Sequence, residues 1–340
     1  GLNVVHDGLD VSFRKNKKDF SPEGPWPNNY FDYDPAIGED IDGVDLNRNF
    51  DFNWVFGDTF MEPDPSDYAA HYDYYRGTAP WSEPEIRAVR DLALENDYVF
   101  SIAWHSSRSG SLSEKVYNSW RWDGDKKTPD NTTIKGIGDQ VAELILKENS
   151  TDTYQSLYGQ TRNGKAHDWF YRATGCFQYL IECGTSNLQP DSALIEDTID
   201  RLMPAMLFLM DRTIGYNTDA SQITGIVTDG NTGMPLEDVT IIIDELHSGV
   251  QKPRKSDEFG RYRRIMEPGT YSVRYEKSGY FPLNFFVTAN PSSPTTQNVT
   301  LVPLPLHNVD ITIASFQIPV VLDENPFLVI ANEGISDTIE

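Results

Sequence analysis

Residues Ser82 to Trp104, SEPEIRAVRDLALENDYVFSIAW, decide the fold class. They open on S-x-x-E, the spacing of a capping box, with Pro84 inside the first turn. Ile86, Val89, Leu92 and Ala93 then recur at helical spacing, which predicts an amphipathic helix ending near Asn96-Asp97. YVFSIAW, Tyr98 to Trp104, is a largely apolar run of strand length, the pattern of a strand buried on both faces. A helix feeding a buried strand is the unit of a layered α/β domain.

The same unit recurs on both sides. A second helix is expected over Ile134 to Glu148, a second buried strand over Phe177 to Cys183 (FQYLIEC), and a long helix over Ser192 to Ile214 with Pro204 as a kink point. Composition changes near residue 216, and all seven tryptophans lie before it. From Gln222 the chain reads QITGIVTDGNTGMPLEDVTIII and then EFGRYRRIMEPGTYSVRYEKSGY, period-two alternation between Asp-Gly, Asn-Thr-Gly and Pro-Gly turns. That predicts antiparallel strands, about seven runs, and a small β-sandwich. PSSPTT, Pro291 to Thr296, reads as a loop before the last strand, and Leu304 to Asn308 as a linker. The expected organisation is therefore an α/β domain over 1–216, a β-sandwich over 222–304, and over 305–340 a linker with the start of a further β-domain.

The 340 residues hold 52 Asp plus Glu against 28 Lys plus Arg, a formal charge of -24. Such a chain repels phosphate backbones and anionic lipid, which argues against nucleic-acid and membrane-surface roles. The longest apolar run, Leu202 to Met210, falls far short of the ~20 residues that span a bilayer, so no membrane insertion is expected. Two cysteines, Cys176 and Cys183, cannot make a disulfide framework or a Cys-rich zinc site. The acidic run Asp32 to Asp42 lacks the ligand order of a calcium loop and reads as solvated.

Four segments carry polar residues that a plain α/β core does not need. GVDLNRNF, Gly43 to Phe50, sets Asn47 beside Arg48, and a guanidinium fork with an adjacent amide suits a carboxylate. His105 directly follows the apolar strand, and open α/β sheets build sites at strand C-termini. Glu182 lies inside FQYLIEC, where a carboxylate is costly unless it is paired, protonated or at a site. YGQTRNGKAHDWFY, Tyr158 to Tyr171, is a Gly-containing loop that runs into aromatics.

In order along roughly residues 1 to 215, these blocks resemble the zinc carboxypeptidases related to carboxypeptidase A. GVDLNRNF matches that family's G-V-D-x-N-R-N-[FW]; YYRGTAPWSEPEIRAV, Tyr74 to Val89, resembles its Y-x-G-x-x-x-x-S-E-P-E segment; and DWFYRATGCFQYLIE matches its D-W-x-Y…E block. The resemblance implies an α/β fold with a mixed sheet flanked by helices. It also implies a zinc-dependent peptidase acting on peptide or protein C-termini. His105 would be a zinc ligand and Glu182 the general base. Asn47 and Arg48 would hold the terminal carboxylate, and Arg14, in FRKNK, would polarise the scissile carbonyl. Tyr158 would close over the substrate, Asp45 would orient a zinc histidine, and His167 would stand at the pocket floor. His167 is neither the carboxylate expected there for Lys/Arg selectivity nor an aliphatic residue.

One departure stands out. The family's other two zinc ligands come from H-x-x-E, and none of the six histidines begins that motif. The expectation is that this sequence is part of a longer enzyme with those ligands upstream of Gly1. The alternative is a catalytically inactive peptide- or partner-binding surface module. The β-rich segment resembles the transthyretin-like carboxypeptidase regulatory domain, and Val309 onward resembles an adhesion-type β-domain. Such strings imply a secreted or cell-surface protein with further extracellular domains.

Overall fold

The computed structural model describes residues 14–16, 18, 43–57, 74–106, 112–122, 126–159, 163–185, 191–216 and 219–305. The segments around His6, Asp32 to Asp42 and from Leu306 onward lie outside the described residues. Helix α1, Pro84–Glu95, precedes strand β1, Phe100–His105. Strands β2 (Lys115–Asn118), β3 (Arg121–Trp122) and β4 (Lys126–Lys127) lead to helix α2, Asn131–Glu143. Strand β5, Gln155–Tyr158, is followed by α3 (Ala166–Thr174), β6 (Phe177–Glu182) and α4 (Ser192–Ile214). One mixed sheet is ordered β1-β6-β2-β5, with β1 parallel to β6, β6 antiparallel to β2 and β2 parallel to β5. FQYLIEC is central because its residues from Phe177 to Ile181 are all buried. Val116, Ile134, Val141, Tyr179, Ile181, Leu202 and Leu209 pack between this sheet and α2 and α4.

Two local expectations are corrected. Ser82 does not cap α1: the N-cap is Glu83, with no side-chain cap bond, and the Ser82 hydroxyl donates instead to Glu83 Oε1 at 2.7 Å. Helix α2 starts and ends earlier than its apolar spacing suggests. Beyond Glu143 the chain turns back on itself through a Leu146–Thr153 bridge, and Ile145 is buried from that turn rather than from the helix. Helix α4 keeps its predicted bounds and continues through Pro204.

The β-rich part comprises β7 (Gln222–Asp229), β8 (Thr240–Ile243), β9 (Arg254–Lys255), β10 (Arg261–Ile265), β11 (Gly269–Glu276), β12 (Leu283–Ala289), β13 (Thr295–Thr296) and β14 (Val299–Leu301). One sheet is ordered β12-β11-β8-β9; the other joins β10, β7, β13 and β14. Ile223, Val227 and Tyr262 from one sheet share a core with Ile241, Val273, Tyr275 and Val287 from the other. Thr295-Thr296, expected as loop, and β14 both pair with β7 in parallel, so this half of the sandwich is not wholly antiparallel.

Residues 1–304 group as one compact unit, and the two parts share buried polar contacts. Arg264 of β10 reaches Asp130, just before α2, at 3.1 Å, with side-chain exposures of 5% and 0%. The Tyr171 hydroxyl on α3 donates to the same carboxylate at 2.6 Å. Burial and then Asp130 push that phenol well above its ordinary value. Arg254 donates to the Gly175 carbonyl, and Ile265 is buried in the core of the mixed sheet.

Candidate active site

Parallel pairing of β1 with β6 sets His105 directly beside Glu182 at the C-terminal ends of both strands, and the His105 carbonyl accepts the Cys183 N–H at 2.7 Å. Both side chains are half-buried. Burial raises Glu182 to about 7, against the pull of Arg14, Arg48 and Lys165. Burial and Arg14 bring His105 down to about 4, against Asp45, which leaves its imidazole neutral near pH 7.

The GVDLNRNF loop is built around Asp45, which is 2% exposed. Asp45 Oδ1 accepts the Asn47 N–H at 3.0 Å, Oδ2 accepts Arg14 Nη2 at 2.8 Å, and Arg48 Nη1 stands 3.7 Å from Oδ2. Burial alone would raise this carboxyl, yet Arg14 and Arg48 leave it below its ordinary value. Burial likewise opposes the charge on Arg14, but Asp45, Tyr74 and Glu182 outweigh it and raise its pKa. The Tyr74 ring lies under both guanidinium groups, 4.7 Å from Arg14 and 4.9 Å from Arg48. Each cation–π contact is worth about 0.5–2 kcal/mol, depending on desolvation.

Asn47 spends its side-chain oxygen on the fold. Oδ1 accepts the N–H of Ala166, the first residue of α3, at 2.9 Å, so only the Nδ2 donors remain for a ligand. That bond brings the Tyr158 to Tyr171 segment against the Asn47–Arg48 pair. Phe50 anchors the other end of the loop, with its ring 5.5 Å from Trp81 and 5.7 Å from Trp169. His167 is 1% exposed, and neither ring nitrogen has a hydrogen-bond partner. Asp168 turns towards β3, where Oδ1 accepts the Trp120 N–H at 2.9 Å. The Tyr158 hydroxyl donates to Asn131 Oδ1 at 3.1 Å, and Arg121 lies over its ring.

Several contributors were not singled out in the sequence. Asn16, buried, donates to Glu83 Oε2 at 2.7 Å and accepts the Val44 N–H at 2.8 Å. Asn49 accepts the Glu83 N–H at 3.1 Å and donates to the Arg76 and Ala79 carbonyls. Together they tie the Arg14 segment, the Arg48 loop and the start of α1 into one frame. The signal for them was present in the third polar residue of N-R-N and in a glutamate directly before a helix-opening proline. Lys165, half-buried beside the same loop, was also missed, since a lone lysine in a Gly-containing loop reads as solvated.

For the zinc that the motif resemblance implies, His105 has the right chemistry: a neutral imidazole at a strand end. A catalytic zinc takes three protein ligands and an open position. Among the described residues no group of three His, Cys, Asp or Glu is placed to hold a metal ion, so they do not by themselves make such a site.

Comparison with known proteins identifies the family. The family model described as zinc carboxypeptidase matches residues 5–204, and that of the carboxypeptidase regulatory-like domain matches 222–302. The rat (Rattus norvegicus) carboxypeptidase N catalytic chain is 26% identical over 278 residues, covering 74% of this chain and 56% of that one. Human (Homo sapiens) carboxypeptidase D is 26% identical over 286 residues, covering 76% of this chain and 18% of that one. This chain thus spans about half or less of the length of these relatives. Among solved structures, carboxypeptidase A from Helicoverpa armigera is 20% identical with a TM-score of 0.38, covering 48% of this chain and 40% of that one.

Proposed function

The chain belongs to the zinc carboxypeptidase family, and on that premise we propose that it is a metallocarboxypeptidase that removes the C-terminal residue of peptides or proteins. The observation that carries this reading is the cluster of Arg14 and Arg48 around Asp45, whose guanidinium groups both act on His105 and Glu182 at the paired strand ends. Arg48, whose Nη1 also donates to the Asn47 carbonyl at 2.8 Å, and Asn47 Nδ2 would be the donors to a free carboxylate, which suits an exopeptidase. Asp45 holds Arg14 and Arg48 in place without neutralising both. Arg14 faces the scissile carbonyl and stabilises charge developing on its oxygen, an effect often worth ~3 kcal/mol. Glu182, raised to about 7, is suited to take a proton near neutral pH and return it to the leaving amine. His105 is the residue of this chain proposed to hold the metal, which when bound supplies Lewis acidity. Among the described residues no helix is long and apolar enough to cross a membrane, and the proposal places the protein outside the cell or at its surface.

The test is hydrolysis and binding of matched peptides by the full-length protein, measured together with its zinc content. Free-acid peptides should be cleaved and their C-terminal amides should not. Glu182→Gln should still bind the free acid while kcat falls at least ~100-fold. Equal handling of acid and amide would refute the carboxylate clamp. The second reading is a catalytically inactive peptide-binding module with the same clamp. Tight, acid-specific binding by full-length protein that takes up no zinc from solution and turns nothing over would select it.

A further inference from the structure

Strand β12 leaves an edge of the sandwich open. In its sheet, ordered β12-β11-β8-β9, it pairs with β11 alone among the described residues. Two other edges are guarded: β9 is only Arg254–Lys255, and β10 reads RYRRI. Short strands and basic side chains protect an edge against pairing with another chain. β12 has neither. It runs seven residues, LNFFVTA, and from Ser278 to Val309 the sequence has no Asp, Glu, Lys or Arg, although these make up 24% of the chain.

The register fixes which backbone groups face outward. Ser272 stands opposite Phe286, and its N–H goes to the Glu245 carboxylate at 3.0 Å. Opposed residues of an antiparallel ladder exchange both bonds or neither, so Phe286 points its N–H and C=O away from β11. Asn284 and Thr288, two residues to either side, share that orientation, and the Thr288 carbonyl accepts the Thr295 hydroxyl at 2.9 Å. The Phe286 ring is 82% exposed, the highest value for a large apolar side chain among the described residues. Ser272, opposite it on β11, gives it no ring to pack on.

We propose that β12 is a dimer seam, on which a second copy of this chain adds its own β12, antiparallel, about a twofold axis at Phe286. The strand is self-complementary about that residue. Phe286 exchanges both backbone bonds with its counterpart, and Asn284 stands opposite Thr288 of the second copy. On the outer face the two Phe286 rings form a cross-strand aromatic pair, and Asn284 meets a hydroxyl. On the inner face Phe285, still 38% exposed, stands opposite Val287 and extends the sandwich core across the seam. Charge favours this occupant. Copies of a chain of formal charge -24 repel one another, yet here no like charges are set face to face. A charged peptide would gain no ion pair from the edge and would lose its own hydration.

Sedimentation velocity of the full-length protein over about 1–100 µM reads the seam, a range suited to an interface of modest area. Wild type should pass from monomer to dimer and stop there, because a twofold contact closes on itself. Phe286→Lys sets like charges opposite one another and should weaken dimerisation at least about 10-fold. Asn284→Pro removes an outward N–H while sparing the ladder to β11, and should do the same. Met234→Lys, exposed on the sandwich but off this strand, should change nothing. For the register, Phe286→Cys should cross-link to its copy on mild oxidation and Asn284→Cys should not, since the native Cys176 and Cys183 are buried. Circular dichroism confirms that each variant is folded. Wild type that stays monomeric throughout overturns the proposal, whatever else covers the edge. So does a dimer that survives both Phe286→Lys and Asn284→Pro, or one that Met234→Lys dissolves equally. Cross-linking of Asn284→Cys as readily as Phe286→Cys refutes the twofold register.

Discussion

Replacing Arg264 with methionine removes the cation that joins the β-rich part to the mixed sheet while keeping most of the side chain's volume. In the intact protein the Asp130 carboxylate is fully enclosed, with Arg264 Nη2 at 3.1 Å and the Tyr171 hydroxyl at 2.6 Å. Removing one partner of a buried pair costs about 3–5 kcal/mol, because the other charge stays desolvated. Arg254 is half-buried close by; burial and repulsion from Arg264 bring it down to about 10, and Asp130 acts in the opposite direction. Losing Arg264 relieves that repulsion and lets Arg254 lean towards Asp130. The low end, about 3 kcal/mol, is therefore the expected loss.

At about 2 °C per kcal/mol for a domain of this size, Tm should fall by roughly 6 °C. Urea unfolding followed by tryptophan fluorescence gives the free energy directly, and the Tyr171 ring lies 5.3 Å from Trp120, so the probe sits at the joint. Adding Asp130→Asn to Arg264→Met removes the stranded charge and should recover at least about 1 kcal/mol. A loss under about 1 kcal/mol in the single variant, or no recovery in the double, would refute the view that this pair couples the two parts.

Two further outcomes follow from local geometry. Asn47→Asp keeps the acceptor for the Ala166 N–H but turns a second carboxylate oxygen towards the ligand, so stability should hold within about 0.5 kcal/mol while affinity for free-acid peptides drops; Asn47→Ala should lose affinity and about 1 kcal/mol of stability, the scale of a lost cap, as read by calorimetry and urea melts. Asp229 is held down at about 2 by the Tyr280 hydroxyl and the Thr232 N–H, so its contribution to stability is complete above its unfolded pKa near 4 and is lost as pH falls through about 2; the Tm gap between wild type and Asp229→Asn should therefore be widest above pH ~4.5 and close on acidification.

What could be read from the sequence was whatever local spacing encodes. Periodicity placed α1 and the 23-residue α4, because a long apolar stripe has no other way to be buried. Phe177 to Ile181 announced a central strand by being apolar on both faces. Motif order pointed to His105 and Glu182, which the pairing of β1 with β6 sets side by side. Contacts that cross the chain were not legible. Ser82 looked like a cap, but Asn49 and Glu83, placed by tertiary packing, took its hydroxyl into another network. Arg264 finds Asp130 across 134 residues, and no periodicity marks either one. Thr295-Thr296 follows a proline loop and has too few residues to alternate, yet β7 offered it an open edge.

The site also resolves a tension in the composition. A chain of formal charge -24 would not be expected to collect anions, and at physiological salt its distant charges are screened beyond about 8 Å. What a ligand meets inside that radius is different. Arg14, Arg48 and Lys165 converge there against Asp45 and Glu182, and burial with these cations on hand leaves Glu182 near 7, only partly ionised at neutral pH. Asp45 is already committed, with Oδ1 on the Asn47 N–H and Oδ2 on Arg14. Any imidazole that used Asp45 for orientation would have to share Oδ2 with that guanidinium. Asp45 thus acts first as the anchor of two arginines. By leaving a local surplus of positive charge, it suits this acidic chain to the peptide carboxylate of the proposed reaction.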